Sequence, residues 1–390
     1  MGPYRHGSLR KSPPAVTRDA VIIGHYAPPP GARTGVADYA AALERALSKR
    51  ATIRRSGVAD VCLYHIGNNP LHREIYNEAL RAPGVALLHD AVLHHFMLGA
   101  LSGQEYLDEF VWNYGKWHRD LASELWRDRG ASAADPRYFR FPMLRRIVES
   151  SRAIIVHNTG AAEMARSASP HCSPITVIPH LAEAVAPDAG PGIAFRQKIG
   201  VSEGARLFGI FGYLREAKRI CASLSAFRRL HALRRNTALL LAGEAVSADL
   251  ARLLEIEAAH PAIVRVGHLD ERNFQAALSA IDCCINLRYP GAGETSGVAI
   301  RAMAAAKPVI LTDSPENSDY PPETCLRIAP GPSEIPELLD NMLLVSEFPV
   351  LAHRIGLAAQ RHIREVHAPA RVAAMFHEAL AAVAETGPIV

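Results

Sequence analysis

The sequence predicts an α/β protein built from two doubly wound domains that face a central cleft. Its 390 residues suffice for two domains of ordinary size, each with its own hydrophobic core. Short apolar runs alternate with helical segments in two successive series, separated by one stretch rich in Pro, Ala and Gly. Because apolar strands alternating with helices indicate a parallel sheet covered on both faces, two series predict two such sheets.

The first series occupies residues 19–180, which we expect to form an N-terminal domain. Its predicted strands are Ala20–Tyr26, Val61–Ile66, Val85–His89, Ala153–His157 and Ile175–Ile178. A helix is predicted to begin near Val36, after a loop rich in Pro and Gly. Residues 91–150 depart from the alternation and predict a helical insertion.

The helical insertion contains all three tryptophans of the chain, Trp112, Trp117 and Trp126, and four arginines between residues 137 and 146. Aromatic side chains at helical spacing are typical of a core. The alternative is a face that binds an acceptor or touches a membrane. Basic and aromatic residues together suit a lipid-linked or otherwise anionic acceptor at a membrane surface.

The second series follows a linker predicted over residues 181–192 and forms a C-terminal domain of residues 193–347. Its predicted strands are Leu207–Phe211, Ala238–Ala242, Ile263–Val266, Cys283–Leu287 and Pro308–Thr312. Residues 348–390 are predicted to be helices that can pack back on the N-terminal domain. Residues 1–18 carry four Lys or Arg side chains among Pro, Gly and Ser and predict a flexible basic tail.

Composition narrows the class of protein. Hydrophobic residues make up 49% and charged residues 21%, the balance of a globular protein. The net charge of +4 permits anionic substrates but lacks the concentrated basic surface of a nucleic-acid-binding protein. Six scattered cysteines without a Cys-x-x-Cys pair indicate reduced thiols, and no apolar run approaches the ~18–20 residues that span a bilayer. We therefore expect a cytoplasmic protein that binds no nucleic acid.

The segment Arg288–Ile310 predicts a phosphate site. A strand ends just before it, a Gly/Pro loop follows, and Thr295 or Ser296 can cap a helix whose start includes Gly297. Free N–H groups and the positive dipole end of such a helix start bind diphosphates. Glu294 would repel phosphate and is better suited to accept hydrogen bonds from sugar or ribose hydroxyls. The alternative for Glu294 is a solvated loop residue.

Basic residues follow the first strand of the second series, in the stretch Phe208–Ile220 (FGIFGYLREAKRI). The strand ends near Gly212, and Arg215, Lys218 and Arg219 come directly after it. Cations at the carboxyl end of a strand neutralise a bound phosphate and the charge of a departing one. The alternative is an exposed basic helix start.

The segment that begins at Arg288 resembles the donor site of family-4 glycosyltransferases, which share a stretch of the form EGFGLPVLEAMACGKPVI. Residues 302–304 (AMA) and 307–310 (KPVI) match this stretch in register. The two glutamates of the family pattern would fall on Gly293 and Arg301, and neither is glutamate here. Glu294 is the carboxylate available to replace the first, and GETSG resembles a variant form of the motif.

The resemblance implies a GT-B fold, with two Rossmann-like domains, an acceptor-side N-terminal half and a donor held mainly by the C-terminal half. Lys218 matches the family's phosphate-binding lysine, and His268 and Leu269 end a strand that resembles one lining the nucleotide pocket. Gly35 lies in a loop similar to the family's first loop, where a bare backbone lets the loop close on a ligand. His89 resembles the family's donor-sugar histidine, with a purely structural role as the alternative.

The position of Arg301 leaves two outcomes open. A guanidinium has hydrogen-bond donors and no acceptor, so Arg301 cannot replace a glutamate that binds ribose hydroxyls. Either Arg301 faces the cleft and pairs with Glu294 or a donor phosphate, or it reaches solvent and leaves ribose recognition to Glu294. The register of the motif favours the cleft.

The function implied by the resemblance is retaining transfer of a sugar from a UDP- or GDP-linked donor to a hydroxyl of a glycan or lipid-linked acceptor. The expected catalytic residues are His89, Lys218 and Glu294. The chain contains no Asp-x-Asp motif, so we expect neither a metal nor another cofactor. The alternatives are a sugar-nucleotide epimerase or hydrolase on the same fold, or a non-catalytic binding subunit. Contact with the inner face of the membrane is expected to be peripheral.

Overall fold

The computed structural model describes residues 21–32, 34–183 and 190–387. The predicted basic tail, residues 1–18, lies outside the described residues, as does most of the predicted linker. The described chain folds into two six-stranded sheets, and every strand pairing in them is parallel. The fold class predicted from the sequence is therefore confirmed.

The first sheet has the strand order β2-β1-β3-β4-β5-β6. Its strands are β1 Ile22–Tyr26, β2 Thr52–Arg54, β3 Val61–Ile66, β4 Val85–Leu88, β5 Ala153–Val156 and β6 Ile175–Val177. The helices that accompany it are α1 Gly35–Leu47, α2 Arg73–Arg81, α3 His94–Ala100, α4 Gly103–Tyr114, α5 Arg119–Asp128, α6 Arg145–Ser150 and α7 Thr159–Ala168. Every residue of β4 is buried, as expected for a strand covered on both faces.

The insertion between β4 and β5 forms a helical layer, α3 to α6, around its own aromatic core. Tyr106, Phe110 and Tyr138 are completely buried there and join the core cluster beneath the sheet. Trp126 packs at the edge of this core, whereas Trp117 is 91% exposed. Trp126 therefore fits the core alternative, whereas Trp117 is not a core residue.

The second sheet has the strand order β12-β11-β10-β7-β8-β9. Its strands are β7 Arg206–Phe211, β8 Thr237–Ala242, β9 Ile263–Val266, β10 Cys283–Asn286, β11 Val309–Thr312 and β12 Leu326–Ile328. Its helices are α8 Gly190–Lys198, α9 Ile220–Leu233, α10 Ala248–Glu257, α11 Glu271–Ala280, α12 Gly297–Ala304 and α13 Glu334–Glu347. In both sheets the loops after the carboxyl ends of the strands form one side of the domain.

The last two helices, α14 Pro349–Val366 and α15 Pro369–Glu385, connect the two domains. Helix α14 packs on α12, where Gln360 Nε2 donates to the carbonyl of Ala304 at 2.9 Å. Helix α15 packs on α1 and β3 and buries Val372, Phe376 and Leu380 in the core of the N-terminal domain. The chain thus returns to the first domain after completing the second.

The cysteines and the length of the helices bear on two of the predictions made from the sequence. All six cysteines are free thiols. Within the described ranges, no single helix is both long and apolar enough to cross a membrane. Helix α13 and the segment Pro349–Glu385 satisfy length and composition only together, and they are bent by 103° where they meet.

Candidate active site

A cleft of about 1700 Å³ lies between the two domains, at the carboxyl ends of both sheets. This is where open α/β sheets bind ligands. Gly35, at the start of α1, and Asp90, directly after β4, lie on the N-terminal wall. The C-terminal wall comes from the loops after β7, β9 and β10 and from the start of α12. Twelve of the residues proposed from the sequence lie on these walls: Gly35, Gly212, Arg215, Lys218, His268, Leu269, Arg288, Glu294, Thr295, Ser296, Gly297 and Arg301.

Three cations converge at the end of β7. Lys218 is only 7% exposed, and its Nζ donates to the carbonyl of Phe211 at 2.5 Å. Burial lowers the pKa of Lys218 well below its ordinary value, and the nearby charges of Arg288 and Arg215 lower it further. Neither arginine makes a side-chain hydrogen bond with a described residue. Glu294 forms an ion pair with Arg288 alone, so the cluster keeps an excess of positive charge that is suited to an anion.

Glu294 stands beside this cluster as a fixed carboxylate. Its Oε2 accepts from the N–H of Ala292 at 2.8 Å, and its Oε1 lies 3.2 Å from Arg288 Nε. The side chain is 20% exposed, which places it on the wall rather than in bulk solvent. Glu294 therefore offers acceptor oxygens in the cleft, as required for binding hydroxyls.

The loop after β10 and the start of α12 are tied to the opposite domain. Ser296 caps the helix through its Oγ, which accepts from the N–H of Ala299 at 3.3 Å. Thr295 Oγ1 instead accepts from Asn158 Nδ2 at 2.8 Å, across the cleft. No described residue accepts a hydrogen bond from the N–H of Gly297, so the helix start retains a free donor.

Asp90 is the buried carboxyl of the N-terminal wall. Its Oδ2 accepts from the N–H of Asn68 at 2.8 Å. Burial raises the pKa of Asp90 to about 6, and the charge of Glu294 raises it as well, against the opposing charges of Arg215 and Arg288. Asp90 on the N-terminal wall and Glu294 on the C-terminal wall line the same cleft.

The structure corrects the prediction for Arg219. Its guanidinium makes a bidentate ion pair with Glu334 of α13, with Nε and Nη2 at 2.9 and 2.7 Å from Oε2, and it is not part of the cleft wall. Arg219 has a φ of 56°, the left-handed conformation, between the turn that carries Lys218 and helix α9. Glu334 is only 1% exposed, so Arg219 neutralises a buried carboxylate instead of a phosphate.

Arg301 lies on the cleft wall but does not pair with Glu294. Its guanidinium makes an ion pair with Glu271, the first residue of α11, and lies 4.0 Å above the ring centroid of Phe274. Both partners line the cleft. The cation–π contact and the ion pair hold Arg301 flat against α11, where it extends the wall near His268.

His89 is placed behind the wall, not on it. The residue is 9% exposed, and its Nε2 hydrogen bonds to His65 Nδ1 at 2.9 Å. Burial lowers the pKa of His89 well below its ordinary value, so the ring is neutral. In its place, Tyr39 and His180 line this part of the cleft.

Sequence reasoning missed Tyr39 and His180. Tyr39 is in mid-helix, where nothing local distinguishes it from a core residue. His180 follows strand β6, and a polar residue after the carboxyl end of a parallel strand was a usable signal. Among the described residues, no three His, Cys, Asp or Glu side chains are arranged to hold a metal ion.

Comparison with solved structures assigns the fold. HepE from Anabaena, in complex with UDP and glucose, has a TM-score of 0.66 and 14% identity, covering 93% of this chain and 100% of that one. Sucrose-phosphate synthase from Thermosynechococcus elongatus has a TM-score of 0.59 and 16% identity over 83% and 74% of the chains. WaaG, a glycosyltransferase involved in lipopolysaccharide biosynthesis, has a TM-score of 0.58 and 16% identity over 91% and 99%. The molecule has the GT-B fold.

The comparison with family models matches a smaller part of the chain than the comparison with solved structures. Residues 205–343 match the family model described as Glycosyl transferases group 1. The match spans the sheet from β7 to β12 and therefore the cationic cluster, Glu294 and the start of α12. A search of curated protein sequences found no match.

Proposed function

We propose that this protein is a glycosyltransferase that moves a sugar from a nucleotide-diphosphate donor to an acceptor hydroxyl. The observation that carries the proposal is the cluster of Arg215, Lys218 and Arg288 beside the free helix start at Gly297. These groups would neutralise a diphosphate and the charge that develops as it leaves. The family model over residues 205–343 and the UDP bound to HepE support this assignment.

The donor would lie with its diphosphate at this cluster. Glu294 would accept hydrogen bonds from sugar or ribose hydroxyls, and His268 and Leu269 would border the base. We propose transfer with retention, in which the departing diphosphate helps to deprotonate the acceptor hydroxyl. The contribution of the protein is then positioning and electrostatic stabilisation.

We propose that the acceptor is a glycan or lipid-linked molecule that enters along the helical insertion. Trp117 projects into solvent, and Lys116 Nζ lies 5.7 Å from its ring centroid. Trp112 is covered by the guanidinium groups of Arg145 and Arg146 at 4.8 and 4.2 Å from its centroid. An exposed aromatic ring next to cations suits peripheral contact with an anionic surface.

Ligand-induced thermal stabilisation tests the donor assignment. A ligand present at a hundred times its Kd raises stability by about 2.7 kcal/mol, so UDP, GDP and their sugars should separate clearly. We expect one nucleotide series to raise the Tm and Arg288→Met to abolish the rise. The matched control is Arg252→Met, because Arg252 is an exposed arginine paired only with Asp249 on α10.

Three results would contradict the proposal. If no nucleotide diphosphate raised the Tm of the wild-type protein, the cationic cluster would have another purpose. If the bound donor were epimerised or hydrolysed in preference to transfer, the alternative enzyme on the same fold would be correct. A donor that binds but is never turned over would indicate a non-catalytic binding subunit.

A further inference from the structure

A row of hydrogen-bonded imidazoles runs through the N-terminal domain behind the cleft wall. His89 Nε2 lies 2.9 Å from His65 Nδ1, and His65 Nε2 lies 2.9 Å from His25 Nε2. His25 Nδ1 in turn lies 3.5 Å from Glu44 Oε2. His25 and His65 use both of their ring nitrogens in these contacts, and His89 uses its Nε2. We call these four residues the imidazole row.

The imidazole row begins and ends at two different openings. His89 is adjacent to Asp90 in the chain, and its ring centroid lies 5.1 Å from that of Tyr39; both neighbours line the cleft. At the other end, His25 and Glu44 line a second, separate cavity of about 210 Å³, beneath the loop that contains Pro28–Pro30. The row therefore connects the cleft to a second opening across the sheet.

Glu44 determines which ring nitrogen of each histidine in the row carries the proton. Arg55 donates to both carboxylate oxygens of Glu44, at 3.3 and 2.7 Å, and this hydrogen bonding lowers the pKa of Glu44. An ionised carboxylate only accepts hydrogen bonds, so it favours a proton on His25 Nδ1. His25 Nε2 then accepts from His65 Nε2, and His65 Nδ1 accepts from His89 Nε2.

The order of protons along the row also determines which nitrogen of His89, at the cleft end, carries a proton. With its proton on Nε2, His89 carries an unprotonated Nδ1, and no described residue donates to that nitrogen. The remaining ring nitrogen of the row is therefore a proton acceptor beside the cleft. A carboxylate hydrogen-bonded to His89 would be needed to reverse this order, and among the described residues none is.

Transfer from a nucleotide-diphosphate sugar to a hydroxyl releases one proton. The hydroxyl oxygen forms the new bond to the anomeric carbon, the bond from that carbon to the diphosphate breaks, and the hydroxyl proton must leave. Because a terminal phosphate has a second pKa of about 6, the diphosphate does not retain this proton at neutral pH. The proton must therefore leave the cleft through a protein group or through water.

We propose that the imidazole row is this route, with Glu44, His25 and His65 acting as positioning residues for proton acceptance at His89. The inference rests on the proposed transferase function. The proton binds His89 Nδ1, the His89 Nε2 proton moves to His65 Nδ1, and the His65 Nε2 proton moves to His25 Nε2. The His25 Nδ1 proton then passes to Glu44 or to solvent in the second cavity. One proton enters, one leaves, and nothing is oxidised or reduced.

The positions of the protons along the row can be tested without any substrate. The ¹⁵N chemical shifts of the imidazole nitrogens in the ligand-free full-length protein report which nitrogen carries the proton. We expect Nε2–H for His89 and His65 and Nδ1–H for His25, and a mixture of tautomers in Glu44→Met. Nδ1–H on His89 in the wild-type protein would overturn the proposal, whatever the activity of the enzyme.

Proton passage is tested by chemical rescue of His25→Ala, because the second cavity lies directly beside that side chain. The probe reaction is release of UDP from UDP-glucose, or of GDP from GDP-mannose, with water as acceptor. We expect release to slow by about 10- to 100-fold with unchanged affinity for the nucleotide. 4-Methylimidazole should restore the rate, and 1-methylimidazole, which has the same size but no N–H, should not.

The matched control is His231→Ala, which removes a histidine of the C-terminal domain that contacts Thr237 and lies outside the row. Neither methylimidazole should change its rate. Equal rescue of His25→Ala by both compounds would show that the imidazole only fills space and would overturn the proposal. Absence of nucleotide binding or turnover in the wild-type protein would contradict the proposed function instead, and the ¹⁵N measurement would still test the row.

Discussion

Lys218 illustrates how a single buried cation can prepare a site for an anion. Its ammonium is held against the Phe211 carbonyl in a cluster of like charges, and burial lowers its pKa. We expect Lys218→Met to weaken binding of UDP or GDP and to slow transfer on the order of 100-fold, because a charge contact to the leaving group is lost. Lys307→Met is the matched control, since Lys307 also donates to a backbone carbonyl, that of Ser279 at 2.8 Å, but is not part of the cleft wall.

The pH dependence of that binding follows from the lowered pKa of Lys218. Lys218 adds to the attraction of the cluster for a diphosphate only while it is protonated, so nucleotide affinity should fall as pH rises through the lowered pKa. Calorimetry across a pH series should show this decline in the wild-type protein and not in Lys218→Met. An identical decline in both proteins would assign it to another group.

Asp90 provides a prediction about stability. Its folded-state pKa of about 6 is above the 3.8 of an ordinary Asp, so its contribution to stability is present below the unfolded pKa and lost as pH rises through about 6. Asp90→Asn keeps an oxygen for the Asn68 N–H and removes the buried charge. We expect urea unfolding at pH 8 to show a gain of about 2 kcal/mol, and a smaller gain at pH 5.

The control for Asp90 is Asp60→Asn. Asp60 also accepts a backbone N–H, that of Ile22 at 2.7 Å, but it is exposed to solvent. No comparable gain is expected there. A loss of stability in Asp90→Asn at pH 8 would mean that the ionised carboxylate is favoured by its arginine neighbours, contrary to the direction given above.

At the scale of elements, the loop between β10 and α12 brings the C-terminal wall of the cleft into contact with the opposite domain. The N–H of Ala91 donates to the carbonyl of Ala292 at 2.7 Å. Gly293 has a φ of 74°, and a Cβ there would lie 2.5 Å from that of Ala91. The loop can therefore approach the N-terminal wall only with glycine at this position.

We expect Gly293→Ala to lower stability and also to weaken nucleotide binding, because it displaces this loop. Gly57→Ala is the matched control: Gly57 has a φ of 89° and open space around it. Both variants carry the strain of about 1–2 kcal/mol for a side chain in the left-handed region. Only Gly293→Ala should also lose nucleotide affinity in a titration; equal affinity in the two variants would contradict the role given to this contact.

The helical insertion makes a separate prediction about membranes. Co-sedimentation with vesicles containing anionic lipid should retain the wild-type protein, and Trp117→Ser should reduce binding, because the exposed ring is the only large apolar group in its turn. Leu253→Ser on α10 is the control, since it removes an exposed apolar side chain far from the insertion in sequence. Binding that ignores anionic lipid would remove the membrane part of the proposal.

The elements were largely predictable from the sequence because most strands are buried apolar runs. Strands β2 and β12 were missed because each has three residues and retains exposed or half-buried positions, so neither forms a continuous apolar run.

In the site, local signals identified the cationic cluster and Glu294, which lie directly after strand ends. Arg219 could not be placed, because its partner Glu334 is 115 residues away in the chain. The imidazole row was equally invisible, since its histidines come from different elements.

For the whole molecule, the absence of an Asp-x-Asp motif in the sequence leads us to expect transfer without a bound metal ion. Leaving-group charge would then be balanced by Lys218, its arginine neighbours and the start of α12. Excess EDTA should leave most of the transfer rate intact. Loss of activity in EDTA with recovery in Mn²⁺ would show that the site needs a cation from solution.

The return of the chain to the N-terminal domain affects how the two domains can move relative to each other. The N–H of Ala182 donates to the carbonyl of His367 at 3.0 Å, and His367 Nδ1 donates to the carbonyl of His180 at 2.6 Å. The two segments by which the chain passes from one domain to the other are therefore hydrogen-bonded to each other. Once the hydrogen bonds of Ala91, Asn158 and Thr159 to the C-terminal domain open, these two segments remain as a pivot about which the domains can rotate. Ligand exchange can then occur by a swing of one intact sheet relative to the other.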